Sequence, residues 1–254
     1  MCGPGLRLEQ RPVTKRRVLL GLIPNPAKGV GLERARLIAA GALAVVAMLA
    51  FGLIMTLPER VDVSPTALSV ARLDEFAADA PACRAALAAN GFETAAVPDV
   101  DGAGRCGYTG AVELTRAAHS FSEPMVSSCA LAAGLALWER DVVDAAAARH
   151  LHQRVARIEL AGETYTCRPV AGRRDRRLSE HAFANAVDIR GFTLEDGRVI
   201  TVAQGWRGRR EDRAFLRAVR DGACRHFQAV LSPDYNRAHR DHLHFDLGRD
   251  KMCR

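Results

Sequence analysis

The stretch Ser179-Glu-His-Ala-Phe-Ala-Asn-Ala-Val-Asp-Ile189 says most about the fold. From Ala186 onward it alternates, and an alternating apolar run of this kind predicts a β-strand. Asp188 lies inside that run, where an ionised carboxylate costs free energy unless it is paired or binds a metal. The stretch therefore predicts a strand that brings a carboxylate into a site.

A second histidine-rich segment, His239-Arg-Asp-His-Leu-His-Phe245, lies near the end of the chain. Its alternation predicts a final strand. Residues i and i+2 share one face of a strand, so His242 and His244 are expected to project together while Asp241 points away.

The two segments together predict a metal site. His181, Asp188 and His244 would supply two imidazole nitrogens and one carboxylate, with a fourth position left for water, as is typical of catalytic Zn²⁺. Such a zinc ion lowers the pKa of its water to about 7 and polarises a scissile carbonyl. Manganese or iron would also suit these ligands. A lone histidine or strand aspartate is more often a surface group or a hydrogen-bond partner, so neither segment suffices alone.

Outward from these segments, the chain predicts short strands and helices in irregular order. One hairpin pairs Val155–Leu160 with Glu163–Cys167 across Ala161-Gly162, and another pairs Ala186–Arg190 with Arg198–Val202. Apolar residues recur at helical spacing over 81–91, 129–140, 142–152 and 213–227. The fold class is therefore α+β, with a small, mainly antiparallel sheet flanked by helices.

Both segments resemble signatures of the LAS metallopeptidases, which include lysostaphin-type enzymes, D-alanyl-D-alanine carboxypeptidases and the hedgehog fold. The group's S-x-H-x-x-G-x-A-x-D is similar to Ser179-x-His181-x-x-Ala184-x-Ala186-x-Asp188. The closing H-x-x-H-x-H of the penicillin-insensitive murein endopeptidases is similar to His239-x-x-His242-x-His244. From about Cys83 onward, the chain also resembles the bacterial extensin-like C-terminal family, over 165–168, 179–189, 215–224 and 235–244.

The resemblance implies a LAS/hedgehog-like fold and assigns a role to each matching residue. The zinc ligands that it implies are His181, Asp188 and His244. It makes His242 the catalytic histidine beside the metal. Ser179 would hydrogen-bond near the ligand loop, and His239 would contact the substrate or support a ligand from behind.

Two positions depart from these patterns. The family glycine that follows the first ligand is Ala184 here, a small change that fits the pattern. The D-Ala-D-Ala dipeptidase branch has a glutamate base before its last ligand, where this chain has the shorter Asp241. In a regular strand Asp241 faces away from His244. His242 is therefore the preferred acid/base group, and Asp241 is the second catalytic candidate, as a residue that orients it.

The positive charge of the chain is concentrated in its first residues. Residues 1–36 hold eight basic and two acidic residues, which is +6 of the net charge of +7. The remaining 218 residues carry 28 basic and 27 acidic groups. This balance argues against a basic nucleic-acid-binding domain in the main body, and no nucleic-acid partner is expected.

Next to this basic tail, Leu37–Pro58 is a run of 22 uncharged residues, long enough to span a bilayer as a helix. The positive flank predicts a cytoplasmic tail (1–36), a transmembrane signal anchor (37–58) and an exported remainder. A cleaved signal peptide is one alternative, although the run is long and has no small-x-small site, and a buried core helix is another. A juxtamembrane linker (59–80) and a folded domain (81–254) would follow, on the periplasmic side of a bacterial inner membrane.

Six of the seven cysteines follow the predicted membrane span, an even number that suits an exported, disulfide-bonded domain. Six cysteines allow 15 pairings. Order along the chain suggests Cys83–Cys106, Cys129–Cys167 and Cys224–Cys253. The alternative is that some of them are buried thiols.

Taken together, these patterns predict a membrane-anchored, Zn²⁺-dependent peptidase that cuts peptidoglycan peptides as a carboxypeptidase or endopeptidase. Its expected partners are that peptide substrate and the lipid bilayer, through residues 37–58. A non-catalytic cell-wall-binding module on the same fold is the alternative, and a structural anchor without metal is a third. Nothing in the sequence identifies a protein partner.

Overall fold

The computed structural model describes residues 27–56, 67–102, 105–170 and 177–254. The chain divides into two compact units, residues 1–61 and residues 62–254. The described part of the first unit is helix α1 (Ala27–Thr56). Of the predicted tail, residues 1–26 lie outside the described residues, as do 57–58 of the predicted span and Cys2. In the part of the chain that the structure describes, no helix is both long and apolar enough to cross a membrane.

The second unit mixes helices and strands, as predicted. Its helices are α2 (Leu73–Ala78), α3 (Ala80–Ala89), α4 (Cys129–Trp138), α5 (Asp144–Leu151), α6 (Val202–Gly205) and α7 (Arg210–Ala223). Its strands are β1 (Glu93–Ala96), β2 (Val100–Gly102), β3 (Cys106–Tyr108), β4 (Val112–Arg116), β5 (Ser120–Phe121), β6 (Val126–Ser127), β7 (Val155–Leu160), β8 (Ala186–Leu194), β9 (Val199–Thr201), β10 (Ala229–Leu231), β11 (Leu243–Asp246) and β12 (Met252–Cys253). Short 3-10 turns occur at Val70–Arg72, Glu180–Phe183 and Arg237–His239, and a π turn at Glu139–Val143 joins α4 to α5.

The main sheet has the order β12-β10-β11-β8-β7-β5 among the described residues, with β9 paired to β8. Its pairs are antiparallel except β5 with β7 and β10 with β12, which are parallel. Two smaller antiparallel sheets, β1-β4-β6 and β2-β3, accompany it. The prediction of a small, mainly antiparallel sheet in an α+β fold is confirmed.

The core lies between the main sheet and helix α4. Every residue of α4 is buried, because its sequence CALAAGLALW is apolar all round. At its end, Trp138 packs edge-on against Phe245 of β11 with ring centres 5.3 Å apart. Its indole nitrogen donates to the carbonyl of Val219 in α7. One face of the central strands is thus fixed in the core, which leaves the other face for polar residues.

Part of the predicted linker 59–80 also belongs to this core. Residues 59–66 lie outside the described residues. After them, Leu73 and Phe76 of α2 are buried in the hydrophobic cluster.

Of the two predicted hairpins, the one formed by β8 and β9 is confirmed, with Gly197 at its turn in the left-handed region (φ 84°). The pairing of Val155–Leu160 with Glu163–Cys167 is wrong, because the second segment is not a strand. Its polar groups bond elsewhere: the carbonyl of Thr164 accepts from His181, and Cys167 is bonded to Cys106. β7 pairs instead with β8 and β5.

All six cysteines of the second unit form disulfides, which excludes the buried-thiol alternative. Cys224–Cys253 is paired as predicted. The other two predicted pairings are wrong: the bonds are Cys83–Cys129 and Cys106–Cys167. Order along the chain misled here, because α3 packs on α4 and places the Cα atoms of Cys83 and Cys129 6.1 Å apart. In the chain-entropy treatment each bond stabilises the fold by about 4 kcal/mol.

Candidate metal centre

Two neighbouring strands position the first pair of candidate ligands. In the antiparallel ladder of β8 and β11, Asp188 lies directly opposite His244. Directly opposed side chains on one face of such a pair are close enough to interact. Nδ1 of His244 accordingly lies 2.8 Å from Oδ1 of Asp188. Leu243 and Phe245, which alternate with these residues along β11, are fully buried on the opposite face.

The 3-10 turn Glu180–Phe183 places the third candidate ligand, His181. Ser179 caps this turn, and its hydroxyl accepts a hydrogen bond from the backbone nitrogen of His181. The turn ends at Ala184, whose φ of 50° is in the left-handed region. A non-glycine residue adopts this conformation only at a steric cost, which glycine would not have.

The two ring nitrogens of His181 have different surroundings. Nδ1 lies 3.0 Å from the carbonyl oxygen of Thr164, to which it can only donate. Nε2 is buried, faces Oδ2 of Asp188 at 3.3 Å and makes no hydrogen bond within the described part of the chain. In a neutral ring the lone pair on Nε2 would therefore face a carboxylate oxygen. A cation between the two atoms would be attracted by both of them.

His181, Asp188 and His244 each offer one ligand atom, and these atoms lie within 4.8 Å of one another. A Zn²⁺ ion with bonds of about 2.0–2.2 Å could contact all three after small side-chain shifts. The donor set and the unbonded Nε2 of His181 thus fit a zinc ion.

The charges of these groups follow from their contacts. Burial acts to raise the pKa of Asp188, but the neighbouring imidazoles of His181 and His244 outweigh it and hold that pKa far below its ordinary value. Burial acts to lower the pKa of His244, yet contacts with Asp188 and Asp246 raise it to about 9. Asp188 is therefore a carboxylate at neutral pH. A metal ion entering the site has to displace a proton from His244.

Asp246 completes the surroundings of His244 and was missed in the sequence. Its Oδ2 lies 2.9 Å from Nε2 of His244, and its Oδ1 accepts from the backbone nitrogen of Gly248. A carboxylate on the far nitrogen of a metal-binding histidine is common, because it fixes the tautomer and orients the ring. The signal was present in the sequence: Asp246 follows His244 at i+2 and so shares its face.

His242 lies beside the candidate ligands, held by Asp241. Its Nε2 is 3.7 Å from Oδ1 of Asp188, and its Nδ1 is 3.0 Å from Oδ1 of Asp241. The contact with His242 lowers the pKa of Asp241. Asp241 therefore lies at the ring nitrogen remote from Asp188, in the position of a residue that orients the imidazole.

Comparison with known protein families places this geometry in context. The family described as Extensin-like protein C-terminus matches residues 81–254, which include all of these site residues. The chain belongs to this family. No curated protein matches the chain, and neither does any solved structure.

His239 forms a second row of the site in this extensin-like domain. Its ring centre lies 5.1 Å from that of His242 and 5.8 Å from that of His244. Its Nδ1 lies 2.8 Å from the side-chain oxygen of Asn236, and Tyr235 packs against the ring. Burial, together with the charges of His244 and His242, lowers the pKa of His239 to about 4. His239 is thus neutral at physiological pH and available for a hydrogen bond to a ligand.

Two of the three candidate ligands, Asp188 and His244, open into a cavity of about 320 Å³, whereas His181 is buried and does not line it. Asp188, His239, His242 and His244 all contribute to its wall, as does Ser179. The structure also adds residues that the sequence reasoning did not single out for the site, namely Arg168, Leu231 and Asn236. This volume is at the small end of the range for ligand sites, so the cavity accommodates only a short part of a large substrate.

Proposed function

We propose that this extensin-like domain is a zinc-dependent peptidase that acts on the peptide part of peptidoglycan. The observation that carries the proposal is the buried Nε2 of His181, which makes no hydrogen bond within the described residues and faces Asp188. With His244 it completes a set of two nitrogens and one oxygen. Three protein ligands and an open position are typical of catalytic rather than structural zinc.

His181, Asp188 and His244 would hold the ion. When bound, Zn²⁺ supplies a Lewis acid that polarises the scissile carbonyl and activates water. Asp246 keeps His244 oriented through its Nε2, and the carbonyl of Thr164 does the same for His181 through its Nδ1.

His242 is the residue placed to move protons in this mechanism. Its Nε2 is directed toward the ligand set, and Asp241 at its Nδ1 fixes the ring and stabilises the imidazolium. Nε2 accepts a proton from the attacking water and then delivers it to the nitrogen of the leaving amine. The proton taken up in the first step is thus returned in the second, and hydrolysis is balanced without another acid or base.

The substrate class in this proposal is supported by the resemblance of residues 179–188 and 239–244 to the signatures of peptidoglycan-cutting LAS enzymes. The same proposal places the domain in the periplasm, anchored by residues 37–58. The uncharged run with its basic flank supports the anchor, and three disulfides support an oxidising compartment.

The test uses the full-length protein with its disulfides intact, loaded with zinc and incubated with purified peptidoglycan. Mass spectrometry of the products is compared with that of His242→Gln, which removes the proton carrier but no ligand, and of a chelator-treated sample. His150→Gln, a change of a histidine on α5 that does not line the cavity, is the matched control. New peptide fragments are expected from the wild type and from His150→Gln only. Unchanged peptidoglycan at one zinc per chain would favour a non-catalytic cell-wall-binding module.

A further inference from the structure

A second, open groove of about 700 Å³ adjoins the cavity of the metal centre. Asn236 lines both of them, so the two spaces meet at this residue. The groove also contains three exposed arginines, Arg207, Arg237 and Arg240. We call it the arginine groove.

The two carboxylates of the arginine groove are already engaged. Asp234 accepts hydrogen bonds from the indole nitrogen of Trp206 at 2.9 Å and from Arg217 at 2.8 Å. Asp241 bonds to Nδ1 of His242. These contacts lower the pKa values of both aspartates, so both stay charged and paired.

The three arginines, in contrast, have little to neutralise them. Within the described residues, neither Arg207 nor Arg237 has a carboxylate oxygen within 4 Å. Arg240 lies 3.8 Å from Asp241, but both side chains are about half exposed or more, and such pairs are weak. The groove therefore presents positive charge that its own carboxylates do not balance.

The wall of the groove at Trp206 is well packed. Trp206 is almost completely buried, and the guanidinium of Arg217 lies over its ring at 4.7 Å. Its indole nitrogen is held by Asp234. A groove that is ordered before binding loses little conformational entropy when a ligand enters. Guanidinium groups are well matched to carboxylates, which they can bind through two parallel hydrogen bonds.

We propose that the arginine groove binds acidic side chains of the peptide whose scissile bond lies in the cavity of the metal centre. The inference rests on the proposed peptidase function and specifies its substrate class as peptides that carry carboxylates close to the scissile bond. One turn connects the two parts of the site: Arg237–His239 places Arg237 in the groove and His239 in the cavity. A peptide lying across this turn contacts both.

The test compares two synthetic peptides of equal length, one with glutamate and the other with glutamine at the same positions, on zinc-loaded full-length protein. The test variant combines Arg237→Gln and Arg240→Gln. The matched control combines Arg149→Gln and Arg225→Gln, two exposed arginines that do not line the groove. Binding is measured by titration calorimetry and cleavage by mass spectrometry, each at low and at high salt.

We expect the test variant to bind the glutamate peptide about tenfold more weakly, which is about threefold per exposed arginine, and to bind the glutamine peptide unchanged. The preference for glutamate should also diminish at high salt. Equal affinity of the wild type for the two peptides, or equal weakening of both in the variant, would overturn the inference.

If the glutamate preference depends on the two arginines but neither peptide is cut, the groove stands and the peptidase proposal fails. If both peptides are cut at equal rates by wild type and variant, the peptidase stands and the groove inference fails.

Discussion

At the scale of single residues, Asp188 organises the site. Its carboxylate lies 2.8 Å from His244, 3.3 Å from His181 and 3.7 Å from His242. One carboxylate thus faces three imidazoles in a largely buried space. The sequence predicted this importance, since a carboxylate in an apolar strand needs a partner. Which nitrogen of each histidine faces Asp188 could not be predicted, because that depends on hydrogen bonds from residues such as Thr164 and Asp246.

Asp246 is expected to support metal binding without touching the metal. Asp246→Asn weakens the negative partner of Nε2 of His244, so we predict a 10–100-fold loss of zinc affinity, the usual effect of losing such a support. Competition with a chromogenic chelator measures it. Asp241→Asn is the control: it should retain zinc affinity and lose activity, since Asp241 contacts His242 and no candidate ligand. Equal zinc affinity of Asp246→Asn and the wild type would contradict this role.

A buried cluster outside the metal centre makes stability depend on pH. His119 contacts Glu139 through Nδ1 and Asp144 through Nε2, both at 3.1 Å. Burial acts to lower the pKa of His119, but these two carboxylates outweigh it and raise that pKa. Burial raises the pKa of Glu139 as well. The folded cluster thus retains a proton that the unfolded chain releases, and its contribution to stability is present below pH 6.5 and lost as pH rises through the folded pKa.

Denaturant unfolding between pH 6 and 9, with disulfides intact and excess chelator, tests this prediction. The unfolding free energy of the wild type should fall more steeply with pH than that of His119→Gln. His152→Gln, a change of an exposed histidine, should follow the wild type. Parallel pH curves for the wild type and His119→Gln would show that the cluster does not bind the proton.

At the scale of secondary structure, the 3-10 turn that carries His181 depends on Ala184. This residue is fully buried and has a left-handed backbone conformation. Ala184→Gly relieves a steric cost of roughly 1–2 kcal/mol and loses one buried methyl group worth about 0.8 kcal/mol, so stability should change by less than about 1 kcal/mol. Ala184→Val adds a β-branched side chain at a buried position with a left-handed backbone, so it should destabilise the fold by at least about 2 kcal/mol. Thermal unfolding of both variants measures this, and a neutral valine variant would disprove the assignment of strain.

The elements that the sequence predicted are those whose apolar residues repeat over several turns or alternate along a strand. Helix α4 and strands β7, β8 and β11 are of this kind. Residues 163–167 also alternate, but the structure uses them as a connection that supports His181. Periodicity reports which side chains are apolar and does not report where the backbone bonds. Two of the three predicted disulfide pairings were wrong for a related reason, since the bonds that form join elements that are distant in the chain.

At the scale of the whole molecule, the site combines segments from two distant parts of the chain. The 3-10 turn and β8 supply His181 and Asp188, and β11 supplies His244. In the sequence, these three residues could be assigned to one site because both segments resemble a known signature. The arginine groove could not be predicted, because Arg207 joins Arg237 and Arg240 only when residues 203–207 and 233–241 line one space.

The most direct test of this account is the zinc content of the full-length protein after zinc loading and extensive dialysis. The zinc bound per chain is measured by elemental mass spectrometry for the wild type, for Asp188→Asn and for Asp241→Asn, which is the matched control. We predict one zinc per chain in the wild type and in Asp241→Asn, and none above background in Asp188→Asn. Equal zinc content in the wild type and Asp188→Asn would contradict the metal centre, and with it the proposed peptidase.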